Sequence, residues 1–191
     1  MARRHNLKFF CWLLLILLLG CVSAWITCDI MRLRSLARRE KMFSPLVEAA
    51  ALRHGLEPAL VKAVIWRESR WQPLAVGAQG EIGMMQITPG AVADWQRVNC
   101  KSLPTRAELF QPEMNIEIGT WYLAQAGKHW QDYRDKEILQ LAEYNAGYGR
   151  VSKLWKPQQA DQEVPLEQIS FPGTRDYIMQ ILSKKADYEQ P

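Results

Sequence analysis

Cysteine and histidine are scarce in this chain of 191 residues, and their positions exclude two kinds of site. Three of the four cysteines, Cys11, Cys21 and Cys28, lie in or beside one hydrophobic run, so the rest of the chain holds only Cys100. An internal disulfide in that remainder is excluded. The three histidines are scattered, and no group of His, Cys, Asp or Glu has the spacing of metal ligands. We therefore expect no metal site and no cofactor.

Excess basic charge is also lacking where a folded domain is expected. The formal charge is +4, but residues 1–41 hold eight Lys or Arg against two acids, which leaves sixteen Lys or Arg against eighteen acids from residue 42 onward. A nucleic-acid-binding surface needs clustered Lys and Arg on the folded domain. We expect no nucleic-acid partner.

One long hydrophobic run is present, at residues 9–28, and it contains no charge over twenty residues. This length is typical of a helix that crosses a bilayer, so the run predicts an N-terminal membrane helix. Two alternatives stay open: lipidation at Cys21, which follows a Leu-Leu-Gly sequence, and signal-peptide cleavage after the small residues at 22–24. Basic residues flank both sides of the run, so charge does not decide its orientation.

Internal repeats are lacking and strand signals are few, so the predicted fold class is mostly α. We predict an anchor at residues 1–31, a basic stalk at 32–43 and a folded domain at 44–191, its first helix beginning near Ser44-Pro45. A glycine-rich stretch from 72 to 89 predicts a loop or a small irregular sheet, and residues 157–172 predict an extended connection. Further helices are predicted at 58–68, 91–98, 115–126 and 136–145, in a short piece before Pro157, and from a cap at Thr174 onward.

Glu68 stands at the end of an apolar helix face. Leu60, Val61, Val64 and Ile65 repeat at three- and four-residue steps, and Glu68 is the next position on that face. The ordinary interpretation is an exposed carboxylate that pairs with a neighbouring arginine. The alternative is an acid whose pKa is raised by lost hydration and by the nearby helix C-terminus, as the protonation of a leaving sugar oxygen requires.

Two further segments hold polar groups suited to a binding cleft. The loop at residues 80–86 combines glycines, which permit close backbone approach, with the amide of Gln86. The segment 142–147 brings Tyr144 and Asn145 to the end of a helix. A simple turn and a helix stop at Gly147 are the alternatives.

Taken in order, these segments resemble one family, the soluble-lytic-transglycosylase type of lytic murein transglycosylase. The likeness spans roughly residues 46–182 and rests on Glu68-Ser69, Gly80-x-x-Gly83-Met-Met-Gln86-Ile-x-Pro89, Asn115 with Gly119 and Tyr122-Leu123, and Glu143-Tyr144-Asn145-Ala-Gly147. It implies a lysozyme-like, goose-type multi-helix domain with a small irregular or β loop region.

The resemblance also implies an activity. Such enzymes cleave the β-1,4 bond between N-acetylmuramic acid and N-acetylglucosamine in peptidoglycan and form 1,6-anhydromuramoyl products, with assistance from the substrate's own N-acetyl group. The matching glutamate, Glu68, acts first as acid and then as base. Met85, Gln86, Tyr144 and Asn145 are expected to bind substrate. Ser69, also expected at the substrate site, is expected to support Glu68 through a hydrogen bond.

Three positions call for separate interpretation. Gly173 stands where the family commonly has a glutamate before Thr174, which leaves subsite affinity open. Glu143 replaces a small residue, and we expect it on a solvated helix face; if it faced the cleft, it could activate water. Trp71, three residues after Glu68, is a candidate for sugar stacking, whereas most other tryptophans of the domain are expected in the core.

Two function classes follow. The first is an enzyme, a lytic transglycosylase or else a hydrolytic goose-type lysozyme; the second is a noncatalytic peptidoglycan-binding module of an envelope machine. Peptidoglycan glycan strands and the membrane are the expected partners, and protein partners are left open. The activity orients the anchor, so we expect a single-pass inner-membrane protein whose domain faces the periplasm, with a lipoprotein through Cys21 as the alternative.

Overall fold

A computed structural model describes residues 2–190, and it describes the side chains of residue 12 and of residues 17–190. The chain divides into two compact units, Met1–Lys41 and Met42–Pro191. The mostly α prediction is confirmed. The helices are α1 (Ala2–His54), α2 (Pro58–Ser69), α3 (Pro89–Asn99), α4 (Arg106–Leu109), α5 (Pro112–His129), α6 (Lys136–Ala146), α7 (Tyr148–Leu154) and α8 (Pro172–Glu189).

The sequence predicted that the first helix begins near Ser44, but the structure shows a different start. The helix runs continuously from Ala2 to His54 and contains Pro45. A proline removes one backbone hydrogen bond of a helix, but the bonds before and after it remain and can carry the helix past that point. The predicted helix start is therefore wrong.

The predicted membrane helix at residues 9–28 is not supported by the described part of the chain. Among the residues that were described, no helix is both long enough and apolar enough to cross a bilayer. Residues 9–11 and 13–16 of that run lie outside the residues whose side chains are described.

Short-range signals place most of the other helices. The Thr88 side chain accepts a hydrogen bond from the Ala91 N–H at 3.1 Å and caps α3. Proline occupies the first turn of α2, α3, α5 and α8, where its missing N–H removes no helical bond. Gly147, at a φ of +86°, ends α6. The predicted helices at 58–68, 91–98, 115–126 and 136–145 are confirmed to within a few residues at each end.

Two further helix starts differ from the sequence predictions. The short helix α4 was not predicted, although Thr105 and Glu108 form a reciprocal capping box at its start. The last helix begins at Pro172, two residues before the predicted cap. Thr174 is instead buried, and its hydroxyl donates to Asn145 Oδ1 at 2.8 Å.

The glycine-rich stretch between α2 and α3 is an irregular loop with a minimal β element. Ile82 forms isolated antiparallel bridges with Val76 and with Ile87. The extended connection between α7 and α8 contains one short 3-10 turn at Leu166–Gln168.

The core of the second unit lies where α2, α5, α6 and α8 pack together. Each of these helices contributes fully buried aliphatic side chains, among them Val64, Ile118, Leu139 and Ile178. Burial of one such side chain stabilises the fold by about 1.5–3 kcal/mol. The packing of α2 against α8 has a further consequence, because it places the end of α2, which carries Glu68, beside the inner face of α8.

Candidate active site

Glu68 lies in the last turn of α2 and is held by a residue of α8. The hydroxyl of Tyr177 donates to Glu68 Oε1 at 2.7 Å, across 109 residues of sequence. Tyr177 is itself only 2% exposed, so its position is fixed by the core. Glu68 is thus half-buried, and this bond holds its carboxyl against α8.

The surroundings of Glu68 raise its pKa from 4.5 to about 7. Loss of hydration on burial is the largest cause, and the negative charge of Glu81 adds to it. The hydrogen bond from Tyr177 and the positive charge of Arg67 act in the opposite direction. The direction of the net shift agrees with the one expected from the sequence. With this pKa, about half of the Glu68 carboxyls carry a proton at pH 7.

Ser69 does not hold Glu68 by a hydrogen bond, so that part of the prediction is wrong. Its buried hydroxyl donates to the Met84 carbonyl at 2.8 Å and accepts from the Gln72 N–H at 3.2 Å. Ser69 therefore ties the end of α2 to the loop at residues 80–86. This attachment fixes the loop with respect to the helix that carries Glu68.

Asn115 fixes the same loop from the other side. Its buried carboxamide accepts from the Met85 N–H at 2.8 Å and donates to the carbonyls of Ile82 at 2.8 Å and Leu109 at 2.9 Å. Gly83 has a φ of +78°, and a Cβ atom there would collide with the Asn115 amide. The glycine in this motif is thus required by the close approach of Asn115, in addition to the turn.

The Met85 side chain belongs to the core and does not line a sugar site, so its predicted role needs correction. It is fully buried against Gly119, where a Cβ atom would meet it, and Thr120 Oγ1 lies 3.6 Å from its sulfur. Its backbone carbonyl matters more for the site, because it accepts a hydrogen bond from the Tyr144 hydroxyl at 2.9 Å.

Tyr144 lies within the electrostatic reach of Glu68, and its contact with substrate stays a prediction. Burial raises the pKa of the Tyr144 phenol well above its usual value, and the charge of Glu68 contributes to the same shift. The phenol therefore stays protonated and acts as a donor. The ring packs edge-on against Tyr122, with 5.9 Å between the ring centroids.

The side chains of Gln86 and Asn145, both predicted to bind substrate, make different contacts in the structure. Gln86 adopts a left-handed φ of +47°, and its Nε2 donates to the Gly83 carbonyl at 2.9 Å, so its side chain folds back on the loop. Asn145 is exposed, and its Oδ1 accepts the Thr174 hydroxyl. Asn145 thus joins the end of α6 to the start of α8, and a contact with substrate remains a prediction.

Two other sequence interpretations are overturned. Trp71 is 0% exposed and so cannot stack on a sugar in this conformation; it packs in the core at a φ of +63°. Glu143 does not lie on a solvated face. It is 4% exposed, with Nδ1 of His129 at 2.8 Å from one carboxylate oxygen and Trp130 Nε1 donating to the other at 2.7 Å.

Tyr177 and Glu81 are the site residues that sequence reasoning missed. Tyr177 ends the segment Gly173-Thr174-Arg175-Asp176-Tyr177, which matches the family's Glu-Thr-x-x-Tyr pattern except at Gly173, but the sequence gives no sign that its hydroxyl reaches Glu68. Glu81 is held in the loop by the Gln79 N–H, which donates to its Oε2 at 3.0 Å. The carboxylate is close enough to raise the pKa of Glu68.

The fold is that of a mostly helical, lysozyme-like domain. The structure is similar to the crystal structure of the 70 kDa soluble lytic transglycosylase of Escherichia coli, with a TM-score of 0.69 and 29% sequence identity over 76% of this chain and 24% of that one. The Transglycosylase SLT domain family model matches residues 45–165. The chain belongs to this family.

Two named relatives are similar in sequence over the same region. The membrane-bound lytic murein transglycosylase C of Actinobacillus pleuropneumoniae is 30% identical over 138 residues, which is 69% of this chain and 38% of the relative. The soluble lytic murein transglycosylase of Escherichia coli is 36% identical over 132 residues, or 66% of this chain and 20% of the relative. The chain therefore spans well under half the length of the curated relatives it matches.

Proposed function

We propose that this protein is a lytic transglycosylase that cleaves the β-1,4 bond between N-acetylmuramic acid and N-acetylglucosamine in peptidoglycan. Membership of the SLT family and the names of the relatives support this proposal. The observation that carries it is the state of Glu68, a half-buried carboxyl with a pKa of about 7 that is oriented by Tyr177.

Glu68 acts first as the general acid. Its proton passes to the glycosidic oxygen while the bond from that oxygen to C1 of the muramoyl sugar breaks, and the N-acetylglucosamine part leaves with a free hydroxyl. A pKa near the working pH keeps the acid protonated before the step and makes its carboxylate a useful base after it. The Tyr177 hydrogen bond stabilises the carboxylate that forms.

The second half of the reaction uses groups of the substrate. The acetamido oxygen of the muramoyl residue bonds to C1 as the leaving group departs, and the 6-hydroxyl of the same sugar then displaces it. Glu68 takes up the proton of that hydroxyl, so the enzyme returns to its starting state and a 1,6-anhydro ring is formed without consumption of water. This substrate-assisted route requires no second carboxylate.

Tyr144 and Gln86 are proposed to position the muramoyl residue. The phenol of Tyr144 is fixed by its hydrogen bond to the Met85 carbonyl, beside Glu68. With its hydrogen directed to the Met85 carbonyl, the phenol oxygen can accept from the acetamido N–H, and the orientation of that group decides whether its oxygen can reach C1. The Gln86 carboxamide, partly exposed on the adjacent loop, suits a sugar hydroxyl.

Digestion of purified peptidoglycan followed by mass spectrometry tests the proposal. The wild type should release anhydromuropeptides, and Glu68→Gln, which cannot ionise, should release them at least about a thousand times more slowly while still binding sacculi. Glu137→Gln is the matched control, because Glu137 is a paired carboxylate on α6 away from the site. Binding without any release by the wild type would instead identify a noncatalytic peptidoglycan-binding module.

Hydrolysis is the second candidate, and Glu81 is the observation in its favour. A fixed second carboxylate near the acid is what a lysozyme uses to activate water or to stabilise the charged sugar. Reducing ends in the wild-type digest, lost in Glu81→Gln, would establish the hydrolase. Anhydro products from both proteins would establish the transglycosylase.

We propose that residues 9–28 attach the enzyme to the inner membrane, with its domain in the periplasm. The uncharged sequence supports this, as do the exposed apolar side chains of α1, such as Leu18 and Trp25, and the name of the membrane-bound relative. Tethering would raise the local concentration of the domain at the wall. Sedimentation of the full chain with membranes, but not of a chain starting at residue 42, is the expected result; loss of sedimentation in Cys21→Ala would favour the lipoprotein.

A further inference from the structure

The carboxylate of Glu143 is buried, fully hydrogen-bonded and outside the catalytic steps described above. Its two oxygens are occupied by two consecutive residues at the end of α5, His129 and Trp130. Trp130 is 2% exposed, whereas about half of the His129 side chain is exposed. None of the catalytic steps proposed above involves this carboxylate, so the burial of a charged group here requires another explanation.

A buried carboxylate is costly unless its oxygens are paired. Burial raises the pKa of Glu143, and the hydrogen bonds from His129 and Trp130 act against that rise. His129 lies in the last turn of α5. The pair therefore joins the C-terminal end of α5 to the C-terminal turn of α6.

The joined turn of α6 is the one that carries Tyr144. Glu143 and Tyr144 are consecutive, and the helix ends three residues later at Gly147, whose N–H donates to the Glu143 carbonyl at 2.7 Å. Few helical bonds remain beyond this point to hold the turn. The side-chain bonds of Glu143 therefore hold the same turn that carries the Tyr144 hydroxyl, which lies 2.9 Å from the Met85 carbonyl.

The ring of Tyr148 packs against both partners of the Glu143 carboxylate. The ring of Tyr148 lies 4.9 Å from that of His129 and 5.8 Å from that of Trp130, measured between centroids. The pKa of Tyr122, whose ring packs against Tyr144, is raised by burial first and then by the charge of Glu143. The charge of Glu143 therefore acts on a ring that packs directly against Tyr144.

We propose that Glu143 is a positioning residue, which sets the place of Tyr144 in the active site through its bonds to His129 and Trp130. This inference rests on the proposed transglycosylase function. If Glu143 only stabilised the fold, its substitution would lower the unfolding temperature but would leave the kcat of the folded enzyme unchanged. A positioning residue changes kcat through Tyr144.

A double-mutant cycle on the full chain distinguishes these roles, with release of anhydromuropeptides as the readout. Glu143→Ala should lower kcat by about 10- to 100-fold, because small misplacements of a positioning group have effects of this size, and it should change KM little. In a Tyr144→Phe background the same substitution should lower kcat by less than about threefold. Glu143→Gln, which can still accept from Trp130, should restore most of the rate. Glu137→Ala, which removes a paired carboxylate elsewhere on α6, should keep wild-type kcat.

Wild-type kcat in folded Glu143→Ala, or equal losses with and without the Tyr144 hydroxyl, would overturn the inference. Should Glu143→Ala not fold, Trp130→Phe removes one donor while preserving most of the ring volume. Its kcat should fall severalfold, and only when Tyr144 is intact; an unchanged kcat overturns the inference as well. An inactive wild type would refute the proposed function. An active wild type whose Glu143 variants keep the wild-type kcat would refute this inference alone.

Discussion

Removal of the Tyr177 hydroxyl should move the pH range in which the enzyme works. In the Tyr177→Phe variant, Glu68 Oε1 loses the donor that now lies 2.7 Å away and that lowers the pKa of Glu68. The negative form of the carboxyl is stabilised by this bond more than the neutral form, so its loss must raise the pKa further above about 7.

The size of the effect follows from the strength of a hydrogen bond to a charged group. Such a bond contributes about 1.5–3 kcal/mol. At about 1.36 kcal/mol per pKa unit, its removal raises the pKa of Glu68 by about one to two units. Arg67 continues to oppose the rise, so a value near the lower end is expected.

The assay is the pH dependence of kcat/KM for release of soluble muropeptides. Because the acid must be protonated for the first step, the alkaline limb of the profile should move upward in Tyr177→Phe by about one unit. Tyr133→Phe, which removes a hydroxyl from a half-exposed residue beside Trp130, is the control and should leave the limb in place. An unmoved limb in Tyr177→Phe, or one displaced to lower pH, would refute the reasoning.

Three further predictions concern the charge on Glu68 and the loop beside it. The folded pKa of Glu68 exceeds the unfolded value of 4.5, so its contribution to stability is complete below pH 4.5 and is lost as the pH rises through about 7. Urea unfolding should therefore show Glu68→Gln more stable than wild type by about 2–3 kcal/mol at pH 8 and nearly equal at pH 4, and equal stability at pH 8 would contradict the buried charge. Asn115→Ala deletes three buried hydrogen bonds and should lower the free energy of unfolding by about 2–4 kcal/mol, whereas a loss below about 1 kcal/mol would mean that the loop is held otherwise. Arg67→Met should move the alkaline limb of activity upward, because the positive charge of Arg67 lowers the pKa of Glu68, and a downward move would show that this charge acts differently.

Local signals in the sequence predicted the helices well. The end of α6 at Gly147 and the proline in the first turn of α2 are decided within a few residues, so they can be predicted without knowledge of the fold. The start of the first helix was mispredicted by the same kind of signal. Ser44-Pro45 resembles a helix start, but the chain continues through it as α1.

The surroundings of individual side chains could be predicted only in part. The apolar face of α2 correctly indicated a poorly hydrated Glu68, because burial follows helical periodicity. The donor that orients it, Tyr177, is 109 residues away, and only packing of α8 on α2 brings the two together. Glu143 was assigned to solvent because charged residues are rarely buried, and the sequence does not show that His129 and Trp130 occupy its oxygens.

Met85 shows how a motif can place a residue in the site and yet leave its role open. Met85 was expected to bind substrate, but its backbone carbonyl contacts Tyr144 while its thioether fills the core against Gly119. Sequence patterns identify positions, whereas the direction of each side chain depends on the packing of helices distant in sequence.

An NMR titration of the Glu68 side-chain carboxyl, in protein labelled with ¹³C at glutamate and assigned by comparison with Glu68→Gln, tests the central claim most directly. We predict that the carboxyl resonance of Glu68 titrates with a midpoint near pH 7. A midpoint close to 4.5, the value of an ordinary glutamate, would show that Glu68 is ionised at neutral pH and would contradict its role as the general acid.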